Sequence, residues 1–260
     1  VGTVTAATST SLTVTFTTSP TLLGSLTAVV TTSGMSSGNP VSVAMVVPVA
    51  NDFTFSRGMI TGYRGMSGAL EIPATINGRP VTTIGPRAFQ YCMGLTSVTI
   101  PNTVRSIGTA AFQLTGLTSV VIPNSVTTIG SHAFQYAFSL TTVTLGANVR
   151  SIGAGAFMGT GLRTVVIPDS VTTIGSSAFA RIGSLTGVQI GRRVTRIGSD
   201  AFMGDIHLRT VVFTGRAPSV GAGAFVLVAN DARAIRAANL PGYGRNGAIF
   251  HRLTVAAPAP

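Results

Sequence analysis

The side chains able to do acid, base, nucleophilic or metal chemistry are few: His132, His207 and His251, five aspartates, Glu71 and one cysteine, Cys92. The histidines stand in three different contexts and the carboxylates are scattered, so no His, Cys and Asp group has metal-ligand spacing. His132 and Asp200 occupy equivalent slots before an Ala-Phe pair, but three copies of that motif apart. At ~4.8 Å per stacked strand this is about 14 Å, too far for proton transfer. Asp205 and His207 share a loop and are expected as a surface pair. Cys92 lies among apolar neighbours and is expected as a small buried hydrophobe, because a reactive thiol needs an electropositive, partly exposed setting. The Gly-x-Gly pairs at 153–155 and 221–223 lack the remaining glycine and the strand-to-helix context of a nucleotide site. The expectation is a chain with no catalytic residue, no metal and no cofactor.

The elements that position these residues repeat. Ile-Gly-x-x-Ala-Phe begins at Ile84, Ile107, Ile129, Ile152, Ile174 and Ile197, and a variant begins at Val220, in steps of 22 or 23 residues. After each of the first six copies comes an apolar triplet: Leu95/Val98/Ile100, Leu117/Val120/Ile122, Leu140/Val143/Leu145, Leu162/Val165/Ile167, Leu185/Val188/Ile190 and Leu208/Val211/Phe213. The one-residue variation in length falls between Phe and Leu, which makes that segment a loop and fixes the elements on either side.

Within a unit, the V-x-I residues of the triplet point the same way from an extended strand, and their β-branched side chains suit a pleated surface. Pro101, Pro123 and Pro168, or Gly146 and Gly191, end that strand, since proline offers no N–H to a ladder. A second short apolar segment, as in Val126 to Gly130, then bends at its glycine into a single helical or 3₁₀ turn that drives a phenylalanine inward. Phe89, Phe112, Phe134, Phe157, Phe179, Phe202 and Phe225 are expected to stack as one column. No unit can bury these residues alone, so neighbours must stack as a solenoid.

Composition narrows the functional classes. Hydrophobic residues make up 45% of the 260 residues and charged ones 9%, too few charges for a helical bundle, a coiled coil or a disordered charged tail. Seventeen arginines and no lysine stand against six carboxylates, a formal charge of +11 that favours polyanions. The arginines spread from Arg57 to Arg252 without interleaved aromatics, so specific nucleic-acid binding is not expected. The longest apolar run, Val41 to Ala50, is half the length of about 20 residues that a transmembrane helix needs. No transmembrane segment is expected, and the first residues lack the pattern of an export signal.

The flanks differ from the repeats. Residues 1–52 alternate Thr, Ser and Val with turn signals at Ser19-Pro20, Ser33-Gly34 and Gly38-Asn39-Pro40, a pattern for three or four strands of a partial sandwich or an N-terminal cap. The expected order is this segment, the solenoid over 53–215, a last repeat and C-terminal cap over 216–255, and an Ala/Pro linker over 256–260. Residues 229–238 read as a short helix, with a closing apolar strand over Ile249 to Val255.

Units such as LTSVTIPNTVRSIGTAAF (95–112) and LTSVVIPNSVTTIGSHAF (117–134) closely resemble the BspA-like leucine-rich repeats of bacterial and protist surface proteins. LEIPATINGRPVTTIGPRAF (70–89) resembles the first repeat of that family, and the resemblance runs from about 53 to 255. It implies a mainly β protein, a right-handed leucine-rich-repeat-like solenoid of 22–23-residue units. It also implies an extracellular or cell-surface location and non-enzymatic adhesion to a macromolecule. Most copies lack the Cys often found after Ala-Phe in the family, and only Cys92 keeps it.

In such a solenoid the residues between the triplet positions face solvent. One column is Ser97, Ser119, Thr142, Thr164, Gly187 and Thr210, and the other is Thr99, Val121, Thr144, Val166, Gln189 and Val212. Alternation in the second column, with Arg163 and Arg209 recurring two units apart, marks a pair of repeats as the underlying unit. This sparsely charged sheet with its arginine rim is the candidate binding face, for a matrix protein or an acidic glycan. Thr and Val are also simply good strand formers, an equally weighted explanation of the same columns. A further alternative is a structural subunit that self-associates head to tail into a filament, sheath or surface layer.

Overall fold

The computed structural model describes residues 52–65, 68–236, 240–245 and 247–257, together with the backbone of six short strands before residue 50. Contacts divide the chain into two units, Val1–Val49 and Ala50–Pro260. In the first, Gly2–Ala7 pairs antiparallel with Leu12–Phe16, with a bulge between Val4 and Ala6. Leu26–Ala28 pairs with Val41–Val43, and Thr31–Thr32 pairs with Met35–Ser36 inside it. The turns expected at Ser19-Pro20, Ser33-Gly34 and Gly38-Asn39-Pro40 lie outside the described residues, as do residues 258–260 of the expected linker.

The second unit is a β-solenoid. Its two-residue strands Thr83–Ile84, Ser106–Ile107, Thr128–Ile129, Ser151–Ile152, Thr173–Ile174, Arg196–Ile197 and Ser219–Val220 pair parallel and in register, each isoleucine opposite the next. This nine-stranded ladder begins at an antiparallel hairpin, Phe53–Ser56 with Met59–Tyr63. Leu, Val and Ile of the triplets, Val and Ile of the second segment, and Ala-Phe of the third line one continuous core. The phenylalanines form the expected column: from Phe89 to Phe225 successive ring centroids are 4.9–5.4 Å apart and within 8° of parallel. Tyr63 and Phe53 close its first end, with Tyr63 5.2 Å from Phe89.

The segment carrying Ala-Phe is a run of overlapping β-turns rather than the expected helical or 3₁₀ turn, and no α-helix occurs among the described residues. Turn bonds join Ala88 N–H to Gly85 O, Gln90 N–H to Arg87 O and Cys92 N–H to Phe89 O. The intervening donors, Arg87, Phe89 and Tyr91, reach the next turn at Thr109, Ala111 and Gln113, 2.8–2.9 Å away. Left-handed residues at Arg87 and Tyr91, repeated at His132 and Tyr136, aim alternate N–H groups along the stack and prevent helical continuation. Each turn spends half its donors on its neighbour, so the stack is bonded as well as packed.

The glycine after each isoleucine also has a different reason from the one expected. Its φ is ordinary, but a Cβ on Gly130 would lie 2.7 Å from Gly108 C, and one on Gly153 would lie 2.5 Å from Ser131 N. Close passage of successive backbones, not a bend, requires glycine there.

The C-terminal end corrects a further expectation. Residues 233–236 of the expected helix form a strand, Arg233–Arg236, parallel to Thr210–Phe213, and Leu253–Ala256 adds another parallel strand beside it. Parallel pairing with Thr210–Phe213 buries Ala234 and leaves Arg233 exposed, and this tertiary contact prevails over the helix propensity of alanine and arginine. Ile249–Phe250 then turns back antiparallel on Leu253–Ala256. Phe213, Tyr243 and Phe250 pack as a ring cluster at 4.8–5.6 Å inside this end.

Candidate recognition face

The triplet strands place the two solvent-facing columns in register. Ser119 lies opposite Thr142 and Val121 opposite Thr144; Thr164 lies opposite Gly187 and Val166 opposite Gln189; Gln189 in turn lies opposite Val212. Ser97, Thr99, Ser119, Val121, Thr142, Thr144, Thr164, Val166 and Gln189 are exposed, whereas Thr210 and Val212 are half-buried near the C-terminal end. Val121 and Val166 expose 63% and 59% of their surface, a high value for β-branched side chains on a formed strand.

This face is not one uniform sheet. Ser119–Val121 pairs with Thr142–Thr144, and a longer sheet starts at Thr164–Val166, but no strand pairing joins Leu95–Thr99 to Ser119–Val121 or Thr142–Thr144 to Thr164–Val166 among the described residues. Both breaks precede a unit with the shorter Phe-to-Leu loop. Those two loops read Thr115-Gly116-Leu117 and Thr160-Gly161-Leu162, and each threonine is buried and donates its hydroxyl to the carbonyl of the preceding Phe at 2.9 Å. The glycines are forced: a Cβ on Gly161 would lie 2.5 Å from Phe138 O. A shallow groove opens at each break. One is lined by Thr142, Thr144, Arg163, Thr164 and Val166, the other by Ser97, Thr99, Ser119, Val121 and Asn124. The two-unit period seen in the columns thus has a structural counterpart, two grooves two turns apart, each at a unit whose short loop carries a Thr-Gly pair.

The arginine rim is unequal. Arg163 is exposed in the first groove, but Arg209 is bound to the carboxylate of Asp231 in the next turn. Asp231 belongs to the segment expected as a helix, so sequence spacing gave no sign of the pair. Beside the strand face, Tyr91, Met93 and Phe138 expose more than 60% of their surface in the loops that lead into Leu95 and Leu140, and the Tyr136 and Phe138 rings stack at 5.7 Å. Aromatic and methionine side chains are enriched at protein interfaces, and these were missed because loop residues carry no periodic signal.

The remaining ionisable groups do not converge. Asp205 is fully buried, not paired at the surface with His207. Its Oδ1 accepts the Ile182 N–H at 2.7 Å and burial pushes its carboxyl up to about 9, against the opposing effect of that bond. His207 is exposed and its ring contacts Gly183 O. His132 and Asp200 sit over Gly155 and Gly223 of the following turns, in the same column and three turns apart. Burial raises the Cys92 thiol, which is half-buried against the core. No group of three His, Cys, Asp or Glu side chains among the described residues could hold a metal, and no described helix could cross a membrane.

Stacked parallel turns of about 23 residues with Leu-x-x-Val-x-Ile strands on one side define a leucine-rich-repeat-type solenoid, a class that generally serves as a binding module. The BspA type leucine rich repeat region matches six copies over residues 71–186 and 172–230, and the chain belongs to this family. Among solved structures it is similar to the leucine rich repeat protein of T. pallidum, at 32% identity over 69% of this chain and 87% of that one, with a TM-score of 0.65. It also matches a leucine rich cell surface protein of Faecalibacterium prausnitzii, at 24% identity over 71% and 74% of the two chains, with a TM-score of 0.40. The pneumococcal vaccine antigen PcpA matches at 14% identity over 79% and 85%, with a TM-score of 0.39. A search of curated proteins returned no match.

Proposed function

We propose that the chain is a non-enzymatic recognition module of a cell surface, and that its strand face binds a macromolecular partner, a protein. The observation that carries this reading is the pair of grooves at the breaks in the face ladder, flanked by Val121, Val166 and Arg163. The exposed Tyr91, Met93 and Phe138 beside them add apolar contact area suited to a protein surface. A surface location is supported by family membership. The division into a β-rich segment at 1–52, a solenoid at 53–215, a closing region at 216–255 and an Ala/Pro linker at 256–260 belongs to the same proposal.

Antiparallel strands at both ends of the described solenoid, Phe53–Ser56 and Ile249–Phe250, favour a module with closed ends over a subunit that stacks head to tail. The test is binding of the purified chain to an array of extracellular matrix proteins, repeated with Val121→Glu/Val166→Glu. Capture of a matrix protein that the double variant loses, with its melting temperature unchanged, supports the face as the site. Capture that the variant retains removes the face from the reading. Growth of the solution mass with concentration, measured by light scattering, would favour assembly instead.

A further inference from the structure

Around the corner from the strand face, past the turns that end the triplet strands, the solenoid carries a further open cleft lined by Arg105, Arg150, Arg193, Asn124, Asn148 and Ser170. We infer that this flank cleft, which shares only Asn124 with the face grooves, is a binding site for an acidic polysaccharide distinct from the strand face.

Arg105 and Arg150 hold equivalent positions, one residue before the strands Ser106–Ile107 and Ser151–Ile152, with Thr128–Ile129 between them. Two parallel steps separate them by about 10 Å, and Arg193 lies about the same distance further along. Among the described residues the ion pairs are Arg192–Asp169 and Arg209–Asp231, neither of which involves these three arginines. Asp169, the chain neighbour of Ser170, is taken by Arg192, which gives it a backbone N–H at 2.9 Å and its Nε at 2.6 Å. Those bonds hold the Asp169 carboxyl below its usual value, with a smaller contribution from the charge of Arg193.

The cleft is also built to hold its shape. Asn148 Nδ2 donates to Asn124 O at 2.9 Å and Asn124 Oδ1 accepts the Ala147 N–H at 2.8 Å, which leaves Asn124 Nδ2 and Asn148 Oδ1 directed by fixed partners and open to a ligand. Thr127 and Thr172 bond the carbonyls of Arg105 and Arg150, and Ser170 bonds that of Val149 at 2.6 Å. The backbone under the arginines is therefore pinned turn to turn.

The lining selects the class of ligand. Guanidinium groups pair bidentately with sulfate or carboxylate, and the amides and hydroxyls between them match sugar hydroxyls. The arginines are spaced along the axis and do not converge on one point, which fits a linear polymer with separated charges better than a small anion. No aromatic lines the cleft to stack a base, and no apolar side chain lines it to anchor a peptide.

The experiment compares Arg105→Gln/Arg150→Gln/Arg193→Gln with a charge-matched control, Arg64→Gln/Arg181→Gln/Arg233→Gln, whose residues are exposed and outside the cleft. Binding to heparin and to hyaluronan is titrated at several salt concentrations, with duplex DNA as a third probe and circular dichroism melting to establish folding. The cleft variant is expected to lose at least tenfold in affinity for one of the two polysaccharides, while the control changes less than twofold. Equal losses in both variants would show only the pull of the +11 charge and overturn the site. Unchanged binding by the cleft variant would overturn it as well, and tighter, cleft-dependent binding of duplex DNA would replace the polysaccharide with a nucleic acid.

Discussion

The Phe turns and the strand face are parts of the same repeats, yet the first is nearly invariant along the stack and the second changes from unit to unit. On the Phe side every unit keeps Gly, Ala and Phe at fixed spacing, because backbones pass too closely for a Cβ and alternate N–H groups must meet the next turn's carbonyls. On the face, only the inward triplet is held, and the outward positions run through Thr, Val, Gln, Ser and Gly. Loops of two lengths separate the two regions, and the face ladder is interrupted twice while the phenylalanine column continues undisturbed. The contrast separates the residues that make the stack from those free to meet a partner.

The largest effect belongs to the Phe side. Phe157→Ala should cost about 4 kcal/mol, since the ring is fully buried and stacked on Phe134 and Phe179 at 5.2 and 5.3 Å. Urea denaturation of the full chain measures it, and a loss below about 1 kcal/mol would mean that the column is ornament to a core held elsewhere. Gly153→Ala comes next, at about 3 kcal/mol, because the new Cβ meets the backbone of residues 130 and 131 at 2.5–2.6 Å. Gly183, in the loop that leads toward the face, has nothing within 4 Å of its Cβ position, and Gly183→Ala should be neutral or stabilising by about 0.5 kcal/mol. Similar losses at both sites would erase the distinction between the two regions.

Asp205 sits in the loop that joins the regions and gives the comparison a pH dependence. Its folded carboxyl titrates at about 9 through burial, against about 3.9 in an unfolded chain, so between those values the native state binds more protons. Its contribution is fully present below about pH 4 and is lost as pH rises toward 9. Asp205→Asn keeps an acceptor for the Ile182 N–H and carries no charge, so it should raise stability by about 2 kcal/mol at pH 8 and much less at pH 5. Melting curves across that range test it, and a parallel offset at all pH values would show that the carboxyl is already ionised in the fold.

The fold was legible where a physical constraint recurs every turn. The stack, the phenylalanine column and both solvent-facing columns follow from the spacing of Ile-Gly-x-x-Ala-Phe and the triplets. The β-turns in place of a helical turn were not legible, because left-handed positions are filled by Arg87, His132 and Asp200 as readily as by glycine and their bonds run between turns. The strand Arg233–Arg236 was hidden by helix-forming residues that pairing with Thr210–Phe213 overrides. The grooves and the Arg209–Asp231 pair depend on which units have short loops and on a contact across turns, neither of which a column of single residues displays.

Thr160 tests whether the short loops set the grooves. Its buried hydroxyl bonds Phe157 O at 2.9 Å, and Thr160→Val, which keeps the shape, should cost about 1 kcal/mol. If the short loop creates the break in the face ladder, amide exchange at Thr164–Val166 should change in the same variant, in a strand that starts four residues beyond the substitution. Exchange that stays constant there would assign the break to the strands themselves.

The smallest expected change in stability lies on the face. Val166 is exposed and pairs through its backbone with Gln189, so Val166→Glu removes little buried area and should alter the unfolding free energy by less than about 0.5 kcal/mol. The charge would also lie beside Arg163 in the groove, which offsets part of the lower strand propensity of glutamate. A near-zero effect would show that packing does not require valine there, which leaves strand propensity and contact with a partner as its two explanations. A loss of 2 kcal/mol or more would place Val166 among the residues that hold the stack, and the division between the two sides of the solenoid would have to be redrawn through the strand itself.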